Sequence, residues 1–259
     1  MHVETISITR PRARPRSRSI AAIGAATLLL LSAGVCAEDG LTPHKARYDV
    51  RISVLSGTLV SEVTAAGPGF MANTVIKPTG VSRMIARGVI QESSYFLLDP
   101  DGVKPTQYRS IDTLSSEDET VSLDFDWREH KVQGLVNDRT FHSDLDGRVH
   151  DRVSIQYELM LDLLNGSAEE QYWMLDGDEL KLLNVTNVGI KTVEVPFGSF
   201  EVTGIQHSKE NSTRVTTLWC AEKLGYLPVV IEQHRKGKLG VRAVLASYEP
   251  DTESVAARR

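Results

Sequence analysis

The sequence predicts a mainly β protein: one large, curved antiparallel sheet, a half-open barrel, with a single helix packed on its concave face. Three observations predict it. Apolar and polar residues alternate through many short segments, the pattern of strands with one buried and one wet face. Turn-forming glycine, proline and aspartate separate those segments at the spacing of a meander. One stretch alone follows the period of a helix.

The elements follow in order. From Ala46 to Val54 every even-numbered residue is apolar and every odd-numbered one polar. Ser56-Gly57 precedes a strand over 58–65, and Gly67-Pro68-Gly69 precedes another over 70–76. Val121, Leu123, Phe125 and Trp127 alternate with Ser122, Asp124, Asp126 and Arg128, the clearest half-buried strand of the chain. Further strands are expected over 88–98, 106–114, 130–137, 169–175, 180–188, 191–195, 199–207, 213–220, 226–235 and 241–248. Pro228 has no N–H to donate and marks an edge or a bulge. Val153, Tyr157, Met160, Leu161 and Leu164 form the helical stripe, with Asp151 to cap its start and Gly166 to end it. A shorter helical turn is expected over 81–87. A lone helix among a dozen strands fits a sheet that curls around it.

The first 37 residues carry an address. Arg10, Arg12, Arg14, Arg16 and Arg18 precede an uncharged segment with the apolar core 20–31, which closes on Val35-Cys36-Ala37. Basic, apolar and small-residue regions in that order make a secretory signal peptide with cleavage after Ala37. Two other fates compete. A retained anchor would need about 20 predominantly apolar residues, and this core is shorter. Lipidation at Cys36 would want a small residue where Val35 stands. Residues 38–250 then form one β-rich domain, and 251–259 a flexible polar tail. The expected location is the periplasm.

Losing residues 1–37 shifts the formal charge from −5 to −9. An acidic chain has no electrostatic reason to bind nucleic acid. Cys36 leaves with the signal, so Cys220 stands alone and no internal disulfide is available. No transmembrane segment remains.

The residues that carry chemistry form no catalytic constellation. The histidines lack metalloenzyme spacing, and no Gly-x-Ser-x-Gly elbow occurs. His142, Asp144, Asp146 and His150 lie close in sequence, but Asp146-Gly147 reads as a turn in a polar loop. Asp124 and Asp126 read as solvated charges, and Cys220 as a small buried residue. No enzyme, metal or cofactor is expected. Trp127, Tyr157, Met160, Trp173 and Trp219 could line a cavity for an apolar ligand or, as ordinary core residues, simply fill the interior.

Three blocks carry a family resemblance. Asp151-Arg-Val-Ser-Ile-Gln-Tyr-Glu-Leu-Met-Leu-Asp-Leu-Leu164, Glu194-Val-Pro-Phe-Gly-Ser-Phe200 and Thr217-Leu-Trp-Cys-Ala-Glu-Lys-Leu-Gly-Tyr-Leu-Pro-Val229 resemble the helix, a turn and the tryptophan strand of an exported proteobacterial family, the domain-of-unknown-function 3108 family. With Tyr48, the resemblance spans about 41–248. It implies export and a β-rich fold similar to the half-open barrels of periplasmic lipoprotein carriers, and brings no activity with it. The expected role is non-enzymatic binding or carriage of a lipid or acyl chain. The alternative is a structural module that binds another envelope protein, presenting an edge at Pro228.

Overall fold

The computed structural model describes residues 40–210 and 212–251. The basic and apolar segment of the first 37 residues, Cys36, the cleavage expected after Ala37 and residues 252–259 lie outside the described residues. An antiparallel meander opens the domain: β1 (His44–Ile52), β2 (Leu55–Ala66), β3 (Gly69–Pro78), β4 (Ile90–Asp99), β5 (Gly102–Asp112), β6 (Glu119–Asp126), β7 (Lys131–Val136) and β8 (Arg139–Asp144). A one-turn helix, α1 (Ser82–Ile85), lies between β3 and β4. Next come the two-residue β9 (Val149–His150) and the central helix α2 (Ser154–Asn165). A second meander follows: β10 (Gln171–Asp176), β11 (Glu179–Val195), β12 (Gly198–Lys209), β13 (Arg214–Ala221), β14 (Leu227–Arg235) and β15 (Lys238–Pro250). β15 pairs with β1, so both meanders join one fifteen-stranded sheet with β8 and β9 at its edges.

Chain connectivity forces that sheet to curl. Laid flat, fifteen strands would span about 67 Å at their usual spacing. Yet β8 and β9, its opposite edges, are joined by residues 145–148 alone, a reach of at most about 18 Å. The edges must come round toward each other, and they do. β9 lies against β5, and Arg139 of β8 pairs with Asp178 beyond β10 at 3.3 Å. The expected alternation appears as an inward face: Ala46, Tyr48 and Val50 are buried while Lys45, Arg47 and Asp49 are exposed. Val54, the last apolar position of that pattern, is instead exposed in the β1–β2 turn.

Three expectations need correction. The segment around His142, expected as a polar loop, is strand β8, and its exposed Arg139, His142 and Asp144 suit an edge that must not recruit another strand. The two strands expected over 180–195 are one, β11, with an irregularity between Asn187 and Ile190. Of the two roles expected of Pro228 the bulge is found, where the β13 register shifts between Trp219 and Cys220; the edge is corrected for the strand as a whole, since β14 pairs with β13 and, from Val230 onward, with β15.

The strap over 145–153 carries the groups that close the seam. Arg152 reaches Glu92 on β4 (2.8 Å), Glu119 on β6 (3.2 Å) and Asp176 on β10 (3.1 Å), and donates to Tyr108 and Ser110 of β5. One guanidinium thereby ties four strands from both halves of the sheet. Arg148 pairs with Glu158 of α2, lies 3.9 Å from Asp162 and binds Glu169 at 3.2 Å. Glu158 is wholly buried and also accepts from the Val103 backbone N–H at 2.6 Å. Asp151 starts the helix as expected: its carboxylate accepts from the N–H groups of Val153 and Ser154, both at 2.8 Å, and from Ser94 Oγ at 2.6 Å. Gly166 ends the helix in the left-handed conformation.

Two predictions test this closure. A Cβ on Gly102, at φ +115°, would lie 2.6 Å from both Glu158 oxygens. Gly102→Ala should therefore cost roughly 2–4 kcal/mol in denaturant unfolding. Gly80→Ala, at φ +55° in open space, should cost only about 1 kcal/mol. The second concerns His150, whose buried ring finds no hydrogen-bond partner among the described residues. Burial, reinforced by Arg148, pushes its pKa down to about 3, whereas burial pushes the neighbouring Asp151 carboxyl up to about 6. As pH falls below 6.5 the unfolded chain protonates this histidine and the folded one does not, so His150 withdraws stability. Asp151 restores some between pH 6 and 4, because the folded state then binds its proton first. In His150→Leu, the stability gain over the parent should grow by up to about 1.4 kcal/mol per pH unit from pH 6.5 toward 4, read from unfolding curves across pH.

Candidate functional site

The helix is apolar on two sides, and this creates the site. Val153, Tyr157, Met160 and Leu161 join the main core, where the Tyr157 ring packs 5.3 Å from that of Phe96 and its hydroxyl lies 3.5 Å from Ser61 Oγ. A second row one helical face away, Ile155, Leu159 and Leu163, turns toward β10–β13 and packs with Tyr172, Ile205 and Cys220. The second contact does not close completely. A cavity of about 170 Å³ remains between Ile155, Gln156 and Leu159 of α2 and the wall made by Tyr172, Met174, Leu183, Val185, His207 and Leu218, with Arg152 at one end. Val185 also borders a wider, shallower depression of about 900 Å³, lined by Leu163, Ile205 and the polar residues 169–171 and 184. The two meet at Val185, and the first, the cleft beside the helix, is the apolar one.

The walls of the narrow cavity are held rigidly and, apart from Arg152, carry no charged side chain. The Tyr172 hydroxyl donates to Asp162 at 2.8 Å and accepts from the Glu169 N–H at 2.8 Å, which fixes β10 against the end of the helix. Burial pushes the His207 ring down to about 4, so it is neutral at physiological pH. Cys220 packs in the same cluster as Leu159 and Ile205, buried and unpaired, its thiol pushed up to about 12 by burial and held as the inert protonated form. Such a surface offers dispersion contacts and the exclusion of water, and no nucleophile or acid–base pair.

The five residues singled out from the sequence lie apart. Tyr157 is sealed in the core, and Met160 faces the open end of the barrel beside Leu41 and Leu164. Trp127 lies at that same end, donating from Nε1 to the Pro105 carbonyl at 2.6 Å. Trp173 is partly exposed on β10. Trp219 pairs across the sheet with Gly204 and Val230, and Val230 with Val244, the partner of solvent-facing Asp49. That register places its ring on the convex face, where Lys191 Nζ stands 3.3 Å from the ring centroid. The residues that do line the cleft were legible only through the second helical row, since a helix apolar on more than one face must be buried on more than one side. Among the described residues no group of three or more His, Cys, Asp or Glu is placed to hold a metal ion.

Comparison with known proteins adds the fold and the family. No curated protein matches the chain. A solved β-barrel-like protein of the domain-of-unknown-function family DUF1849 from Brucella abortus superposes with a TM-score of 0.54 at 15% identity, covering 82% of this chain and 99% of its own. A Bacteroides fragilis protein with a YmcC-like fold aligns over 81% of this chain and 97% of its own, at 12% identity and a TM-score of 0.34. The first likeness agrees with the half-barrel described above. The family model described as "Protein of unknown function (DUF3108)" matches residues 34–242, most of the chain, and the protein belongs to that family.

Proposed function

We propose that this protein is an exported, periplasmic binding protein that holds one apolar chain, such as a lipid acyl chain, in the cleft beside α2, and carries it without chemical change. The observation that supports this reading is the unfilled space between Leu159 and the wall of Tyr172, Leu183, Val185 and Leu218. Transferring a chain from water to such a surface is favourable by about 25 cal/mol per Å² of apolar area. The narrow part, about 170 Å³, is smaller than the roughly 300–1,000 Å³ of sites for drug-sized ligands. It suits the end of a single chain, with the polar part of the molecule toward the mostly polar depression beyond Val185. The leader, with its five arginines, apolar core and Val35-Cys36-Ala37, supports export. Among the described residues no helix is long and apolar enough to cross a membrane.

Two outcomes are expected. Mass spectrometry of organic extracts from protein purified out of its native envelope should find a lipid in stoichiometric amount. Leu159→Trp, which fills the cleft from the helix side, should remove that lipid while the protein still unfolds cooperatively. An empty parent protein, or lipid retained by the filled variant, would refute the assignment. Cell fractionation with N-terminal sequencing should recover a periplasmic chain beginning at Glu38.

A further inference from the structure

The two ends of the barrel differ. One carries the turns between β4 and β5, between β6 and β7, and between β13 and β14, together with the end of α2. The other carries the β1–β2 turn, the β3–β4 connection with α1, and the β14–β15 turn, three neighbours in the strand order. On that second rim large apolar side chains stand in solvent: Val54 is 90% exposed, Val81 78%, Met84 80% and Ile85 74%. Ile52 and Leu239 flank them, also exposed. Isolated exposed apolar residues need no explanation, but a cluster of this density marks an interaction surface.

The same rim is basic. Arg51, Lys77, Arg83, Arg87, Lys236 and Lys238 are exposed around the apolar tips, and none has a carboxylate partner among the described residues. Residues 77–88 contain no acid at all. The acids at this end lie in other connections: Glu117 and Asp118 between β5 and β6, Asp138 between β7 and β8, Asp178 between β10 and β11, and Glu210 between β12 and β13. Six unneutralised cations in one sector of a chain with a net charge of −5 are a concentrated exception. The tip is also held rather than floppy. Ser82 is buried and its Oγ accepts from the Ser56 N–H at 2.8 Å, the Thr79 N–H donates to the Ser56 carbonyl at 2.9 Å, and Arg83 Nε donates to the Pro78 carbonyl at 3.3 Å.

We propose that this rim docks the protein on the surface of a bilayer containing anionic phospholipid, with Val54, Val81, Met84 and Ile85 entering the interfacial region and the surrounding lysines and arginines lying at phosphate level. The arrangement fits a membrane better than a protein partner. Val54 projects from the β1–β2 turn and Val81, Met84 and Ile85 from the neighbouring β3–β4 connection, so the four stand together as one apolar cap. A ring of cations around apolar tips matches the bilayer, where headgroup charge lies above acyl chains. The inference goes beyond the cleft and stands whether or not the cleft holds a ligand.

Flotation with vesicles tests it, using the form of the protein that accumulates after secretion. The protein should float with vesicles of phosphatidylcholine and phosphatidylglycerol, bind pure phosphatidylcholine far less, and release in high salt. The charge reversals Arg83→Glu and Arg87→Glu together should lower partitioning by about tenfold or more, each basic residue near an anionic surface being worth about a fivefold factor. Met84→Asp with Ile85→Asp should abolish flotation. Because these side chains are already in solvent, both variants should keep the parent circular dichroism spectrum and unfolding temperature. Lys223→Glu, on the opposite end, should float like the parent. Failure of the parent to float with anionic vesicles overturns the proposal and leaves a protein partner for the rim. Unchanged flotation of the two rim variants overturns it equally. An empty cleft in a protein that floats leaves it standing.

Discussion

The four-residue link from β8 to β9 is the constraint on which the rest depends. It joins the two edges of a single sheet, so curvature here is a matter of covalent reach before it is one of packing. Once the edges are drawn together the concave face needs filling, and the chain that crosses the gap supplies the filler. α2 begins one turn after the crossing and runs along the interior. The position of the helix, the depth of the core on one flank and the open cleft on the other all follow from where that strap enters.

The strap closes the seam with charge in place of hydrogen-bonded strands. Arg152 holds carboxylates from β4, β6 and β10, and Arg148 holds those of α2 and the loop beyond it. Burying Glu158 and Asp151 costs desolvation that apolar substitutes would avoid. What the charges add is registry: carboxylates on four elements meet two guanidiniums only when both meanders are in place. The β10–β13 wall, tied to the helix through Tyr172 and Asp162, meets the row of Ile155, Leu159 and Leu163 under the same restraint. Rigid attachment at the ends leaves the middle of that contact unfilled.

Much of the sheet was legible because its physics is local. Tyr48, Val50, Leu123 and Phe125 announce their buried face through their immediate neighbours, and Asp151 and Gly166 announce the ends of the helix. β8 was not legible, because an edge strand beside charged residues has little apolar alternation to display. The cleft was half legible. Ile155, Leu159 and Leu163 stand in the sequence as a second apolar row, but their wall comes from β10–β13, as many as sixty residues further on. The aromatic residues misled for a related reason. Size marks a residue as important to packing but does not say on which face of a strand it falls, and Trp219 is settled by its register with Gly204. The partners of Arg148 and Arg152 are long-range ion pairs, which no spacing rule reveals.

The placement of β1 beside β15 has a bearing on how the chain is made. Each meander can zip up from nearest-neighbour hairpins, but β1 gains its second partner only when Lys238–Pro250 become available. Until then the first meander presents an open edge of nine residues, with Tyr48 and Val50 lacking the neighbours Leu245 and Ala243 that cover them at the end. Pairings between distant parts of a chain are slow, and unsatisfied strand edges recruit wrong partners. A nascent chain therefore stays short of its native state, and most in need of a chaperone, until its last strand arrives.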